Sequence, residues 1–437
     1  MSKYKTSELL DWIYELNNSI DVCIKKIGLP ECDSWFYDET AGEIRNTSRS
    51  FFQIKGIQKY EGGQAVVEQP VIIQDEIGYL GIICRRFEGE MHYLMQAKIE
   101  PGNINKIQLS PTIQATKSNF TQKHGGRKPA YLEYFVNAEK HKIIVDQIQS
   151  EQSSRFYKKR NRNIIIEVDE EIDVLPSHRW MTLRQIKEMM RYDNLVNMDT
   201  RTVLSCLPVY EKEYLNEITD DSFKRSVIGD GKNRLPEIYR YINNYKMFDE
   251  SEYKIVPLYS LKSWKMQNNE LVSEKPYSFK VVFCDIEIEG REVRHWTQPL
   301  FEASGIATFG LMTRIHNGAY EFLVRATPEI GCFDRIELGP TVQREYVNNR
   351  KLNEVDRLFD DKLKEKEGVV FDTLLSEEGG RFYHEQNRNV IMRIGENDLD
   401  KLPEGYFWVD YKTLNMLVQV NNCLNIQLRN LLSVLEW

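Results

Sequence analysis

The sequence has little with which to hold a metal or a covalent cross-link. Seven cysteines lie scattered at 23, 32, 84, 206, 284, 332 and 423, with no C-x-x-C pair. That argues against structural zinc and for a reducing compartment, so a cytoplasmic location is expected. The seven histidines form neither H-x-x-x-H nor H-x-H, so a metal centre is not expected. No run approaches 18 uninterrupted apolar residues, so no membrane span is expected. The opening MSKYKTSELLDW contains no apolar signal core. A net charge of −8, with only the short basic run KKRNR at 158–162, argues against nucleic acid as a partner. Phosphate-cradling G-x-x-x-x-G-K-[ST], dinucleotide G-x-G-x-x-G and esterase G-x-S-x-G motifs are missing in any suitable context, and nothing resembles a nucleophile triad.

What is present is a repeat. Residues 69–114 align without a gap on residues 298–343, at a constant offset of 229. Gln69 falls on Gln298, Gly81 on Gly310, Arg85 on Arg314, Glu100 on Glu329, Gly102 on Gly331, and LSPTIQ on LGPTVQ. Trp35 meets Trp264 at the same offset. RFYKKRNRN (155–163) meets RFYHEQNRN (381–389), and Asn197, Arg201 and Ser205 meet Asn425, Arg429 and Ser433. The 437 residues therefore divide into a first repeat with an N-terminal helix (1–208), a linker with the lead helix of the second copy (209–260), and a second repeat (261–437). Each copy opens with a helix, in the first case TSELLDWIYELNNS with Ser7 as N-cap. Strands separated by turns follow, and helices close the unit. The class is α+β, with mixed sheets and flanking helices. The acidic helix EVDRLFDDKLKEKE (354–367) reads as a solvated face without a counterpart in the first copy.

The run KIQLSPTIQATKSN (106–119) alternates strictly, which reads as one half-buried strand with Gln108, Ser110, Thr112, Gln114 and Thr116 on its polar face. A solvent face usually carries Lys, Glu and Arg, whereas these are neutral hydrogen-bonding groups suited to a polar ligand. Gln96, Lys98 and Glu100 share a second such face. Arg325, Thr327 and Glu329, then Glu337, Thr341 and Gln343, take those places in copy two. Wet surface and ligand surface both fit the pattern. Arg155 and Arg381 in the RFY segments can fork onto a phosphate or pair with an acid, and Tyr157 and Tyr383 share their strand parity.

QAKIEPGNINKIQLSPTIQATKSNFTQKHGG, GREVRHWTQP (290–299) and LGPTVQ, set in this duplicated plan, closely resemble the NDP-hexose 2,3-dehydratase family from about Trp35 onward. The resemblance implies two tandem Nudix-like modules, a homodimer, and binding of a nucleotide-diphosphate sugar, usually dTDP-linked. It implies loss of the C2 hydroxyl from a 4-keto-6-deoxyhexose in deoxysugar biosynthesis. Such a reaction needs no redox cofactor and no metal. It needs a base for the acidic C3 hydrogen, an acid for the departing hydroxyl, and a positive or hydrogen-bonding group at the C4 oxygen.

On that basis Glu100, Glu329 or Glu337 is a candidate base. Lys98, or Arg325 in copy two, is a candidate for the enolate oxygen, and Tyr157 or His124 for the acid. Gln96, Gln108, Ser110, Thr112 and Gln114, with Gln69, Thr116, Asn119, Gln298, Thr341, Gln343, Tyr383 and Arg388, are candidate sugar and ligand contacts. Arg155 and Arg381 would hold diphosphate. Trp296, Tyr346 or Phe156 would stack on the base. The copies have diverged, and the first holds more candidate proton donors. A hydrolase of the same fold and a non-catalytic nucleotide-sugar-binding protein are the competing readings. The first of these would need an acidic magnesium-binding helix.

Overall fold

The computed structural model describes residues 4–48, 51–117, 128–229, 234–289, 293–347, 350–399 and 401–436. Both repeats build the same pair of sheets. In repeat one, strands Lys142–Ser150, Arg160–Glu167, Gly78–Phe87, Glu90–Ile99 and His178–Thr182 lie in that order. In repeat two the order is Val369–Ser376, Gln386–Arg393, Thr308–His316, Ala319–Pro328 and Tyr406–Val409. Each sheet is mixed: Arg160–Glu167 runs parallel to Gly78–Phe87, as Gln386–Arg393 does to Thr308–His316.

The two copies are not beads on a string. Strand Val22–Ile27 of repeat one pairs antiparallel with Phe279–Ile288 of repeat two, Val22 opposite Ile288. Strand Glu252–Val256, at the corresponding place in repeat two, pairs with Gln53–Glu61 of repeat one, Glu252 opposite Tyr60. Each repeat thus lends its first strand to the other's smaller sheet. Trp35, Ile54 and Phe156 from one copy and Trp264, Phe283 and Phe382 from the other form a single apolar cluster between these sheets. The segment 209–260 is accordingly more than a linker. It contains helices Lys212–Glu217 and Asp221–Ile228, the lead helix Leu235–Phe248 and the exchanged strand.

Three expectations are corrected. The first helix spans Thr6–Ser19 with Lys5, not Ser7, at the N-cap, where Glu8 accepts from the Lys5 N–H at 2.7 Å. The alternating run is two strands, not one. Ile107–Ser110 pairs with the end of Glu90–Ile99, and Ile113–Ala115 pairs with the start of Gly78–Phe87. The Ser-Pro-Thr step crosses between them, because proline cannot donate to a ladder. Thr112 closes the resulting fork: its hydroxyl accepts from the Ile83 N–H at 2.9 Å and donates to the Leu94 carbonyl. Thr341 repeats this arrangement, accepting from the Met312 N–H at 2.8 Å and donating to Leu323 O. Lastly, the acidic helix Glu354–Glu365 is half core: Val355, Asp356, Phe359 and Lys362 are buried. It has a shorter counterpart in Leu132–Val136, since the rings of Phe135 and Phe359 lie against Gly81 and Gly310 respectively.

Candidate active site

The RFY segment of each repeat reaches across to the other. Gly102 N–H donates to Gly379 O at 2.7 Å, and Gly331 N–H donates to Ser153 O at 2.8 Å. A Cβ on Gly102 would lie 1.6 Å from Phe382 O, and one on Gly331 would lie 1.8 Å from Phe156 O. Only glycine permits this approach, which explains why both copies carry it.

On the repeat-one side this seam opens into a cavity of about 290 Å³. Its polar wall comes from both repeats. Lys98, Glu100, Gln114, Thr116, Glu151, Lys159, Asn161 and Asp199 are contributed by the first copy. Trp296, Gln298, Glu378, Gly380 and Arg381 come from the second. Trp35, Phe51, Phe52, Tyr79 and Phe156 add an aromatic side.

Lys98 sits near the end of its strand and Glu100 just beyond. Lys98 Nζ lies 3.2 Å from Glu100 Oε1, and Gln114 Nε2 donates to the same oxygen at 3.1 Å. The Glu-Pro-Gly turn is closed by main chain, Asn103 N–H to Glu100 O at 3.1 Å. Gln114 is held in turn: its carbonyl accepts from Asn197 Nδ2 at 3.3 Å, which also donates to Ser110 Oγ at 2.8 Å. Asn197 is fixed because its Oδ1 caps the helix Met198–Ser205, accepting from Thr200 N–H at 2.8 Å.

A second set of acids faces this pair. Asp199 is buried, and burial, followed by the charges of Glu151, Glu378 and Glu100, holds its carboxyl well above the usual range. Glu378 is pushed up to about 7, chiefly by burial, against the pull of Arg381. Glu151 is likewise raised by burial, although Asn161 Nδ2 donates to it at 2.6 Å. Burial holds the Lys159 ammonium down, and it donates to the Glu76 carbonyl. Arg381 donates to Gln74 Oε1 at 3.2 Å and lies 4.2 Å over Phe52. It has no salt bridge among the described residues.

Of the sequence candidates, Lys98, Glu100, Gln114, Thr116, Trp296, Gln298, Arg381 and Phe156 therefore meet at one cavity. The others lie elsewhere. Gln108 is buried, accepting from Ser376 Oγ at 3.0 Å. Ser110, Thr112 and Thr341 serve the internal bonds already described. Gln69 joins the Ser154 carbonyl to Tyr277 at 2.7 Å each. Gln96 is half-buried outside the cavity wall, as are Tyr157, beside Lys158, and Tyr383, beneath Lys26. Tyr346 is 62% exposed, and Arg388 forks onto Asp372 at 2.8 and 2.6 Å on the surface. Arg325 lies over Tyr406. Asn119 and His124 fall outside the described residues.

Glu329, Glu337 and Gln343 belong to the equivalent seam of repeat two. Gln343 donates to Glu329 at 3.0 Å and Ser150 donates to Glu337 at 2.7 Å. Burial raises Glu329 to about 8 and Glu337 to about 7. There Arg155 points inward onto Glu345 at 3.1 Å and Glu385 at 3.9 Å, and it is only 2% exposed. Sequence reasoning missed Glu151, Lys159, Asn161, Asp199 and Glu378. Extending the RFY match upstream would have found Ser150–Glu151 repeated as Ser376–Glu377.

A partly aromatic pocket with a carboxylate–ammonium pair, facing acids whose proton affinity burial raises, defines a site for acid–base chemistry on a polar organic ligand. The family model for NDP-hexose 2,3-dehydratase matches the chain twice, over residues 6–207 and 235–435. The chain is 35% identical to a dTDP-4-dehydro-6-deoxy-alpha-D-glucopyranose 2,3-dehydratase of Saccharopolyspora spinosa, over 99% of this chain and 91% of that one. Enzymes of the same name from Streptomyces violaceoruber and Amycolatopsis orientalis are 34% and 33% identical, over 97% and 99% of this chain and 95% and 90% of theirs. The chain belongs to the NDP-hexose 2,3-dehydratase family.

Proposed function

We propose that the cavity of repeat one removes the C2 hydroxyl of an NDP-4-keto-6-deoxyhexose, with dTDP-4-keto-6-deoxy-D-glucose as substrate. The observation that carries this is the Lys98–Glu100 pair, set in the same cavity as Arg381 and the aromatic wall. The C3 hydrogen is acidic because it adjoins the C4 ketone. Glu100 takes it, and Lys98 steadies the charge that develops on the C4 oxygen. The C2 hydroxyl is then β to the enolate and leaves as water. The 3-hydroxy-enone left behind tautomerises to the 3,4-diketo-2,6-dideoxy sugar. Arg381, which makes no salt bridge among the described residues, suits the diphosphate, and Trp35, Phe52 or Trp296 suits the nucleobase.

We further read each repeat as a Nudix-like module, supported by its mixed sheet with helices on both faces, with the repeats spanning 1–208 and 261–437. The homodimer rests on the family resemblance, and the cytoplasmic location rests on the seven free cysteines, which suit a reducing compartment. The test is the purified protein with dTDP-4-keto-6-deoxy-D-glucose in deuterated buffer, followed by NMR. Loss of the H3 signal with new C2 methylene signals is the expected result. Liberated nucleoside monophosphate would make the protein a hydrolase, and binding of the sugar without conversion would make it a binding protein.

A further inference from the structure

The reaction needs a proton for the departing C2 oxygen, and the charged groups around the cavity are unevenly divided between the two copies. Each polar position of this cavity can be set beside its counterpart at the other seam. Lys98 corresponds to Thr327, Lys159 to Glu385, Asp199 to Gln427 and Glu378 to Gln152. Both carboxylic acids of this set become amides at the other seam. Glu378 is set apart because it arrives from the other repeat, on the loop SEEGGRFY.

That loop is clamped at three points. Gly379 O accepts from Gly102 N–H at 2.7 Å, Gly380 O accepts from Gln298 Nε2 at 2.9 Å, and the Phe382 N–H returns to Glu378 O at 3.0 Å. The clamp aims Glu378 at Glu100. A Cβ on Gly380 would lie 2.5 Å from Glu378 Oε1 and 3.4 Å from Glu100 Oε1. The two carboxyl groups therefore converge on Gly380, a backbone position that carries no side chain. Where the first copy's own loop reaches the second seam, Ser153 and Ser154 replace both glycines.

We propose that Glu378 is the general acid that protonates the departing C2 hydroxyl, so that repeat one supplies the base and repeat two the acid. The inference rests on the dehydratase reading above. Glu100 breaks the C3–H bond and keeps the proton, and the electron pair enters the C3=C4 enolate. Collapse of the enolate forms C2=C3 and breaks C2–O, and the oxygen takes the Glu378 proton to leave as water. Glu378 ends as a carboxylate and Glu100 as the acid. One proton passing from Glu100 to Glu378 restores the starting state. The elevated affinity of buried Glu378 for its proton agrees with this role.

The test is Glu378→Gln, assayed in deuterated buffer on dTDP-4-keto-6-deoxy-D-glucose and on its 2-deoxy-2-fluoro analogue, whose fluoride leaves without a proton. Dehydration should fall by ~10²–10⁴-fold, the usual worth of a positioned acid. H3 of the hydroxyl substrate should still exchange for deuterium, and fluoride release should match that of the unmodified protein. Two results would overturn the assignment: undiminished dehydration, or joint loss of H3 exchange and fluoride release. Unmodified protein that neither exchanges H3 nor dehydrates would instead refute the dehydratase reading, leaving the two failures distinguishable.

Discussion

Thr112 distinguishes two uses of the same polar residue, and Thr112→Val separates them. The substitution keeps shape and removes one hydroxyl. In the fold that hydroxyl closes a gap between diverging strands, serving the Ile83 N–H and the Leu94 carbonyl at a site 1% exposed. Valine would leave a buried donor and a buried acceptor without partners. Each such orphan costs ~1–3 kcal/mol. The extra methyl recovers only about 0.8 kcal/mol. The net destabilisation is about 3 kcal/mol, equivalent to roughly 6–12 °C in the midpoint for a unit the size of one repeat. Thr341→Val should cost about the same, because its two bonds repeat those of Thr112 at the other seam. Urea and thermal unfolding measure both variants, and steady-state kinetics at a temperature where they remain folded measure KM. The expected result is two matched losses of stability with KM unchanged. A Thr112→Val protein of ordinary stability with a raised KM would place the hydroxyl on the sugar and refute the reasoning.

Further outcomes follow from the two seams. Lys98→Met should lower kcat by ~10²–10³-fold, as loss of an oxyanion-stabilising group does, while dTDP affinity by calorimetry stays nearly intact. Arg381→Ala should weaken dTDP binding by ~10–100-fold, the worth of about 1.5–3 kcal/mol in charge-assisted hydrogen bonds. Arg155→Ala should instead lower stability, because it strands the buried Glu385 beside Glu345. If Glu378 must be protonated, kcat falls as pH rises through about 7, and Glu378→Gln should abolish that limb of the profile. Glu329 is raised to about 8 in the folded state by burial. Folding therefore favours its neutral form, and this stabilisation is complete below the ordinary carboxylate range near ~4.3. It is lost as pH rises through 8. Glu329→Gln should flatten the decline in urea midpoint between pH 5 and pH 9.

The duplication and the broad α+β class could be read from the sequence because both are written in residues that recur at a fixed spacing. The exchange of first strands could not. VCIKKI and EYKIV look like any short strand, and nothing local says which copy a strand will pair with. The alternating run misled for a related reason. Period-two polarity reports which way side chains point, and it is blind to whether the face beneath is water, a cavity or another strand. Gln108 and Gln114 share parity, yet one is tied to Ser376 in the core and the other to Glu100 at the cavity.

Comparing the copies finds what both must keep, and in this chain much of that is scaffold. Thr112 and Thr341 close forks, Gly102 and Gly331 permit the crossing of the RFY segments, and Asn197 and Asn425 cap helices. Function is more visible where the copies disagree. Lys98, Lys159, Asp199 and Glu378 have no like partner at the second seam. There Arg155 is instead committed to Glu345 and Glu385, while its counterpart Arg381 pairs with no acid among the described residues. A duplicated chain needs two intact scaffolds, because each repeat completes the other's sheet, but it needs only one reactive cavity. Selection on folding would hold the shared residues in both copies, and only the residues released from that duty are free to differ. The base Glu100 is shared as Glu329, so the positions where the repeats differ at the seam mark what the first cavity has in addition to it, and Glu378, contributed by one repeat to the cavity of the other, is one of these.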